Sequence, residues 1–459
     1  VALQLKLIGV SSSPTDTVVA SARTCYSSTP FLPEQVSDWK GKGELLRSLF
    51  EAGHHTTFTH PTFTLLITGI SRLLIWRLLH SHPYYNSEQV SQRYTRLNSD
   101  SFYYPPTVER KKWERFYREC YQAYLQLVEL LTPKIEKLLP PFKKRESIKK
   151  AQEFARYLLP VGATANLYHT TSLLTLLRYI SAVKGLPEGR EEGKRFALQL
   201  AQLLIKVDRA LKPIVDRAFK GEVEFPKIDL FKFKKLHSIT HTDRLKITDV
   251  HYYPFSAEIN YTTPLKPFII YPDWGVVGGF TTYAQLSLSA DAQNQRHRRS
   301  LGVRERLEEG YQRRKKVGHP FYYTPPIIVE VGVGPYYHRI MGKIYQFIEN
   351  ELKEHPFREV AYALPNSHIV EIVEYTDFSA FVHKSQMRLC FNAQEEIFNL
   401  TYRQIRELQK KRVDISPFVP PCLLRKRMGI KPYCPEGVRY CGIKVWKLPF
   451  SQLPMLRPI

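Results

Sequence analysis

Arg296-His297-Arg298-Arg299 is the strongest local cluster of anion-binding side chains in this sequence. Guanidinium forks hold phosphate oxygens in pairs, so adjacent arginines suit a phosphate or pyrophosphate. The same run could instead close a helix as a solvated basic end. A second set, Ser91-Gln92-Arg93-Tyr94, follows Asn86-Ser87-Glu88-Gln89. Its donors and acceptors could read a small polar ligand such as a base, although a surface loop has the same composition. Gly53-His54-His55-Thr56-Thr57-Phe58-Thr59-His60 brings three histidines together without a recognisable metal spacing. Cys422, Cys434 and Cys441 are separated by 11 and then 6 residues. Structural zinc prefers four ligands and a close pair, so buried thiols or one disulfide are expected there, and no metal. GxGxxG, Walker A and GxSxG motifs are absent from the sequence, so any flavin or nucleotide is held without a Rossmann fingerprint.

These residues belong to a chain of 459 residues with 67 Lys and Arg against 43 Asp and Glu, a formal net charge of +24. The excess rules out an acidic surface and points to anionic partners: nucleic acid, an anionic membrane, or phosphorylated or carboxylated small molecules. The 28 tyrosines oppose a disordered basic protein, because disordered chains are poor in aromatics. The longest apolar candidate, from Phe63 to Leu79, is interrupted by Arg72 and Arg77, so no membrane span is expected. The opening segment lacks a basic region ahead of a long apolar run. A cytoplasmic protein with mostly reduced thiols is the expectation.

Two or three domains are expected at this length, and internal repetition settles the number at two. Phe102-Tyr103-Tyr104-Pro105-Pro106 recurs as Phe321-Tyr322-Tyr323-Thr324-Pro325-Pro326, and Ala155–Pro160 is echoed by Ala361–Pro365. The copies are placed at 1–235 and 240–459, with a Lys-containing, aperiodic boundary around Phe219–Arg244. In the first copy the periodicity predicts strands over Leu3–Val10 and Thr62–Thr68. It predicts helices over Thr17–Cys25, Lys42–Ala52, Ser71–His80, Thr107–Leu131, Glu146–Leu158, Ser172–Val183 and Glu191–Ala218, with Pro133 ending the longest. In the second copy it predicts strands at Ile247–Tyr253 and Thr281–Ser289, then helices over Tyr336–Leu352 and Ser379–Lys411. The fold class is α+β, two tandem domains each with an antiparallel sheet and long helices.

Taken together, these segments resemble the flavin-dependent thymidylate synthases (the ThyX family). The family signature is Arg-His-Arg, seven residues, then Ser-x-Arg-Tyr. Ser91-Gln92-Arg93-Tyr94 matches its end, and Gly53–His60 resembles the family's G-H-x-S/T-P-F-x-H segment. His80-Ser81-His82 stands where the first copy should carry Arg-His-Arg. The second copy has Arg296-His297-Arg298 intact, with Gln293 three residues upstream, but Arg306 replaces the serine. Arg388, followed by Asn392-Ala393-Gln394, resembles the family's R-x5-Q helix, and Lys184 stands at that arginine position in the first copy.

The resemblance implies dTMP formation from dUMP, with methylenetetrahydrofolate as carbon donor, FAD as hydride carrier and NADPH as its reductant. It implies Arg93, Arg388 and Ser91 at the reacting nucleotide, and Gln89, Tyr94 and Gln293 as further substrate contacts. Arg296, His297 and Arg298 would face the flavin, joined by His54, Thr56 and His383. The two copies have kept complementary parts, which implies one composite site from both halves. It also implies a homodimer of two-domain chains that mimics the family's tetramer. A non-catalytic flavin- or nucleotide-binding paralogue, or a basic nucleic-acid-binding module, are the competing expectations.

Overall fold

The computed structural model describes residues 2–81, 84–93, 95, 100–139, 141–221, 244–254, 276–455 and 457. Tyr94, His82 and the expected boundary between 235 and 240 lie outside them. The described chain is a mixture of helices and two antiparallel four-stranded sheets. The first contains β1 (Gln4–Val10), β2 (Thr62–Ser71), β3 (Tyr85–Gln89) and β4 (Thr164–Ser172), ordered β1-β2-β4-β3. The second contains β5 (Leu245–Pro254), β6 (Val276–Ser287), β7 (Leu301–Arg304) and β8 (Ile369–Asp377), ordered β5-β6-β8-β7. The same order in both halves is the structural form of the repeat.

The chain packs as two compact units. One takes the described residues of Val1–Glu119, Pro160–Lys232 and Ile344–Leu364; the other takes those of Cys120–Leu159, Phe233–Lys343 and Pro365–Ile459. Each unit thus holds one sheet and a segment from the opposite half.

In the first unit β2 alternates, with Phe63, Leu65 and Ile67 buried on one face. They meet helices Leu173–Ala182 and Arg190–Val207, whose Leu176, Phe196 and Leu200 are buried in the same core. Each such side chain contributes roughly 1.5–3 kcal/mol on burial. At Gly69 the alternation breaks: φ is 68° and the register shifts between Ile67 and Ile70. Glycine enters this left-handed region without a Cβ penalty, and the shift delivers Ser71 to the buried end of the strand. There Ser71 Oγ accepts from Leu74 N at 3.0 Å, capping the next helix.

Ser71 also donates to Glu192, through N at 2.7 Å and Oγ at 2.5 Å, and Tyr362 Oη donates to the same carboxylate at 3.1 Å. Burial pushes the Glu192 carboxyl up to about 7, with the Ser71 and Tyr362 hydrogen bonds opposing the rise. A folded pKa above the unfolded one means stability that is full below the unfolded pKa. It is lost as pH rises through about 7, by roughly 3 kcal/mol at 1.36 kcal/mol per unit. Urea midpoints should therefore fall between pH 5 and pH 8, and Glu192→Gln should flatten that slope. A variant keeping the full slope would locate the titrating group elsewhere.

The second unit repeats this arrangement. Ser287 Oγ caps helix Leu288–Asn294 by accepting from Ala290 N at 3.0 Å and donates to Glu396 Oε2 at 2.6 Å, while Tyr157 Oη donates to Glu396 at 2.9 Å. Its core includes Phe280, Phe381 and Phe418, with ring centroids 4.9 Å apart in successive pairs.

Several sequence expectations need correction. Helix Arg110–Leu138 runs through Pro133 rather than stopping before it. Thr132 Oγ1 donates to Val128 O at 2.7 Å, and the buried stripe continues through Leu131 and Ile135, so packing outweighs the missing N–H. The expected helix Glu191–Ala218 is two, Arg190–Val207 and Lys212–Lys220. Asp208 is extended between them and accepts from Ala210 N at 3.0 Å and Thr15 Oγ1 at 2.5 Å. Ser71–His80 becomes Arg72–Leu74 followed by a π turn, Ile75–Leu79. Ser379–Lys411 becomes Phe378–Arg388 and Glu395–Lys410. The polar stretch before Ser91 is strand β3 rather than loop, and β4, β7 and β8 had no counterpart among the expected strands. β8 is largely buried on both faces, which erases the period-two signal. Among the described residues no helix is long and apolar enough to cross a membrane.

Candidate functional site

The second unit converges its polar side chains where two helices end. Helix Leu288–Asn294 leaves the Ser287 cap and leads into the turn Gln295–Ser300, which carries Arg296, His297 and Arg298. All three are half-buried, so they are not a fully solvated helix end. Helix Phe378–Arg388 is capped by Asp377, whose carboxylate accepts from Ala380 N at 2.7 Å. That helix stops at Arg388, and the stop aims the guanidinium at the turn.

Arg388 Nε donates to His297 Nε2 at 2.7 Å, and Arg388 Nη2 donates to Gln293 O at 2.8 Å. An imidazole nitrogen that accepts from arginine must be unprotonated, so the His297 proton resides on Nδ1. Burial holds His297 well below its usual range, reinforced by Arg388, Lys384, His383 and Arg296. His383 lies beside it, ring centroids 5.8 Å apart, and is also depressed, by burial and then by Arg388 and Arg299. Among the described residues His297 Nδ1 is buried with no hydrogen-bond partner. The cluster therefore presents a neutral N–H donor among guanidiniums, a set that suits an electron-rich or anionic ligand.

Behind this cluster runs a hydrogen-bonded chain. Gln293 Nε2 donates to Gln394 Oε1, Gln394 Nε2 contacts Tyr157 Oη, and Tyr157 donates to Glu396. Burial raises the Tyr157 phenol well above its usual range, with Glu396 adding to the shift, so it stays a donor. A second buried group locks the framework. Lys384 Nζ pairs with Glu374 at 2.7 Å, and Asn294 donates to the other carboxylate oxygen at 2.5 Å. Arg304 grips Asp291 with two 3.0 Å bonds and approaches Glu374 at 3.7 Å. These contacts tie β7 and β8 to both helices that carry the site. Burial alone would raise the Glu374 carboxyl, but Lys384 and Arg304 hold it below the ordinary value.

The corresponding positions of the first unit are chemically different. β4 and β8 correspond with an offset set by their capping residues Ser172 and Asp377, so His169 stands at the position equivalent to Glu374 and Tyr179 at that of Lys384. His169 Nε2 and Tyr179 Oη share a 3.2 Å hydrogen bond. Tyr85 stacks on His80 at 5.0 Å and on His169 at 5.4 Å. Arg77 is paired with Glu188 at 2.7 Å, both buried. Lys184 is exposed where Arg388 is half-buried. Aromatic rings and a closed ion pair thus fill the place that holds the cationic cluster in the second unit.

Of the residues singled out by sequence, Gln293, Arg296, His297, Arg298, His383 and Arg388 gather in the second unit. The rest belong to the first. Gln89 ends β3, and Ser91 and Arg93 form the turn after it, with Ser91 Oγ accepting from Arg93 N at 3.2 Å. His54 and Thr56 are exposed around the short helix His55–Thr59. Sequence reasoning missed Tyr157, Glu374, Lys384 and Glu396 as site supports. One signal was available: Glu-Glu stands at 191–192 and again at 395–396, equally spaced from Lys184 and Arg388.

Comparison with known proteins identifies the family. The thymidylate synthase complementing protein family (Thy1) matches residues 6–208 and 278–412. Those segments make up most of the chain, and it belongs to that family, in two tandem copies. Among relatives, the chain is 27% identical over 184 residues to a flavin-dependent thymidylate synthase of Clostridium tetani, covering 39% of this chain and 72% of that one. It is 24% identical over 210 residues to the enzyme of that name from Thermosipho africanus, covering 45% and 88%. Among solved structures, a UMP/dUMP methylase, PolB, from Streptomyces cacaoi bound with 5-Br dUMP is 20% identical over 48% of this chain and 95% of its own, with a TM-score of 0.36.

Proposed function

We propose that this protein is a flavin-dependent thymidylate synthase that converts dUMP to dTMP, with methylenetetrahydrofolate as carbon donor and NADPH as reductant. The observation that carries the reading is the Arg388–His297–Gln293 cluster in the second unit, which joins the Arg-His-Arg this half has kept to the arginine of its R-x5-Q segment. When bound, FAD supplies the hydride chemistry. The donor set fits that group: Arg296 and Arg298 would hold its anionic portions, and His297 Nδ1–H would donate to a ring acceptor. Arg388 would bind dUMP, stabilising negative charge that develops on the pyrimidine carbonyls as C5 becomes nucleophilic. Its hydrogen bonds to His297 in the turn and to Gln293 O in the preceding helix preorganise it for that task.

The first half has kept Gln89, Ser91, Arg93 and Tyr94, and we assign these to the nucleotide as the complementary part of a composite site. Two chains associating would supply the four domains of the family's tetramer. The filled cluster of the first unit supports one working site for each pair of copies. Loss of Ser-x-Arg-Tyr from the second half favours a second reading, a non-catalytic flavin- or nucleotide-binding paralogue.

Purified protein should show a flavin absorption band that shifts on dUMP titration, and should form dTMP when methylenetetrahydrofolate and NADPH are added. A flavin band and dUMP shift without dTMP would establish the paralogue. Colourless protein whose polynucleotide binding falls steeply with salt would overturn both in favour of a nucleic-acid module.

A further inference from the structure

The cysteines near the C-terminus were expected to lack a fourth partner, and the fold supplies one. Cys390, in the turn between helices Phe378–Arg388 and Glu395–Lys410, lines the same pocket as Cys422, Cys434 and Cys441. All four stand as unlinked thiols. They come from three separate stretches of the second unit, so their sequence spacing gave no metal signature.

The surroundings of these thiols point to a ligand. Four neutral thiols gain little from one another's company, whereas a cation gives thiolates a reason to share one pocket. Cys441 Sγ donates to Ile443 O at 3.7 Å across a tight turn. Gly442, between Cys441 and Ile443, has φ of 86°, a conformation that turns the backbone back toward the preceding side chain. The remaining wall is largely apolar, with Phe391, Pro421, Ile443 and Trp446. Such a wall shields sulfur ligands from water.

The geometry points to a structural site for a soft divalent cation, with zinc the best match, held by Cys390, Cys422, Cys434 and Cys441. Four thiolates are a complete tetrahedral set with Zn–S distances of about 2.3 Å and no open position, so the site is structural and not catalytic. Among the described residues no three ligand-type side chains already stand at metal-holding geometry. Protonated thiols have no force drawing them to one point, and the cation provides it as each thiol releases its proton to solvent. The site would pin the chain from Pro421 to Val445 onto the turn that follows Arg388. This inference does not depend on the reaction proposed above.

The test uses the full chain, reduced and freed of metal, then titrated with zinc or cobalt. Metal analysis after gel filtration should find about one zinc per chain. Cobalt should give intense sulfur-to-metal charge-transfer bands and the strong visible absorption of a tetrahedral thiolate site. Ellman's reagent should find these four thiols protected in the zinc form and reactive after chelation. Cys434→Ser and Cys441→Ser should each lower metal retention at least tenfold. Should those variants fail to fold, the cobalt spectrum of the native sequence decides. Four thiols equally reactive with and without zinc, or a disulfide among them by mass spectrometry of unreduced protein, would overturn the assignment.

Discussion

Arg388→Ala is expected to weaken dUMP binding about 30-fold at the least and up to several thousand-fold, corresponding to about 2–5 kcal/mol for losing one side of a buried, hydrogen-bonded charge contact. The guanidinium already spends Nε on His297 and Nη2 on Gln293, so its plane is set before the nucleotide arrives. Arg388→Lys keeps the charge but loses the fork and the two anchoring bonds. It should recover only part of the affinity. The removal has a second consequence: Arg388 is the nearest named cation that holds His297 neutral. In the alanine variant His297 should titrate closer to the ordinary imidazole range, visible in the pH dependence of the flavin spectrum. Titration with dUMP, monitored by flavin absorbance or calorimetry, provides the measurement. An unchanged dissociation constant would remove Arg388 from the nucleotide site.

Lys384→Met should destabilise the protein by about 3 kcal/mol at neutral pH, because it leaves the Glu374 carboxylate buried without its closest cation, beside Asn294, Thr376 and the more distant Arg304. The pH dependence has a definite sign. In the native protein the Glu374 carboxyl lies below its usual value, so its contribution is present above the unfolded pKa and is lost as pH falls through the folded one. In the variant burial dominates and raises the same carboxyl. The deficit should then be largest above pH 7 and shrink toward pH 4, where a protonated carboxyl is buried without charge. The double variant Glu374→Gln/Lys384→Met should recover most of the loss, since no unpaired charge remains. The first unit illustrates that neutral solution with His169 and Tyr179. Guanidinium midpoints of the three proteins at several pH values would show this. A pH-independent deficit, or a double variant no better than the single, would contradict the assigned role of the pair.

How far the sequence could be read depended on whether the signal was local. Helices with a single apolar stripe, such as Lys42–Glu51, were legible because one face packs on one core. β8 was not, because burial on both faces leaves no alternation. The break between Arg388 and Glu395 was also hidden, since both flanking segments are good helix formers. The first helix ends at Arg388, whose Nε lies 2.7 Å from His297, and the chain turns there before the second helix begins.

By itself the sequence determined the duplication, the family resemblance and the division of its signature between the halves, because these are matters of residue type and order. Tertiary structure decided which of those residues meet and in what state. The neutral His297 and the depressed Glu374 depend on burial beside charges from other elements. Those charges come from Arg388, Lys384 and Arg304. The gathering of Cys390 with three cysteines of the C-terminal segment depends on the same kind of closure. Dielectric surroundings and distances between remote segments exist only once the chain has folded, and no spacing along the sequence encodes them.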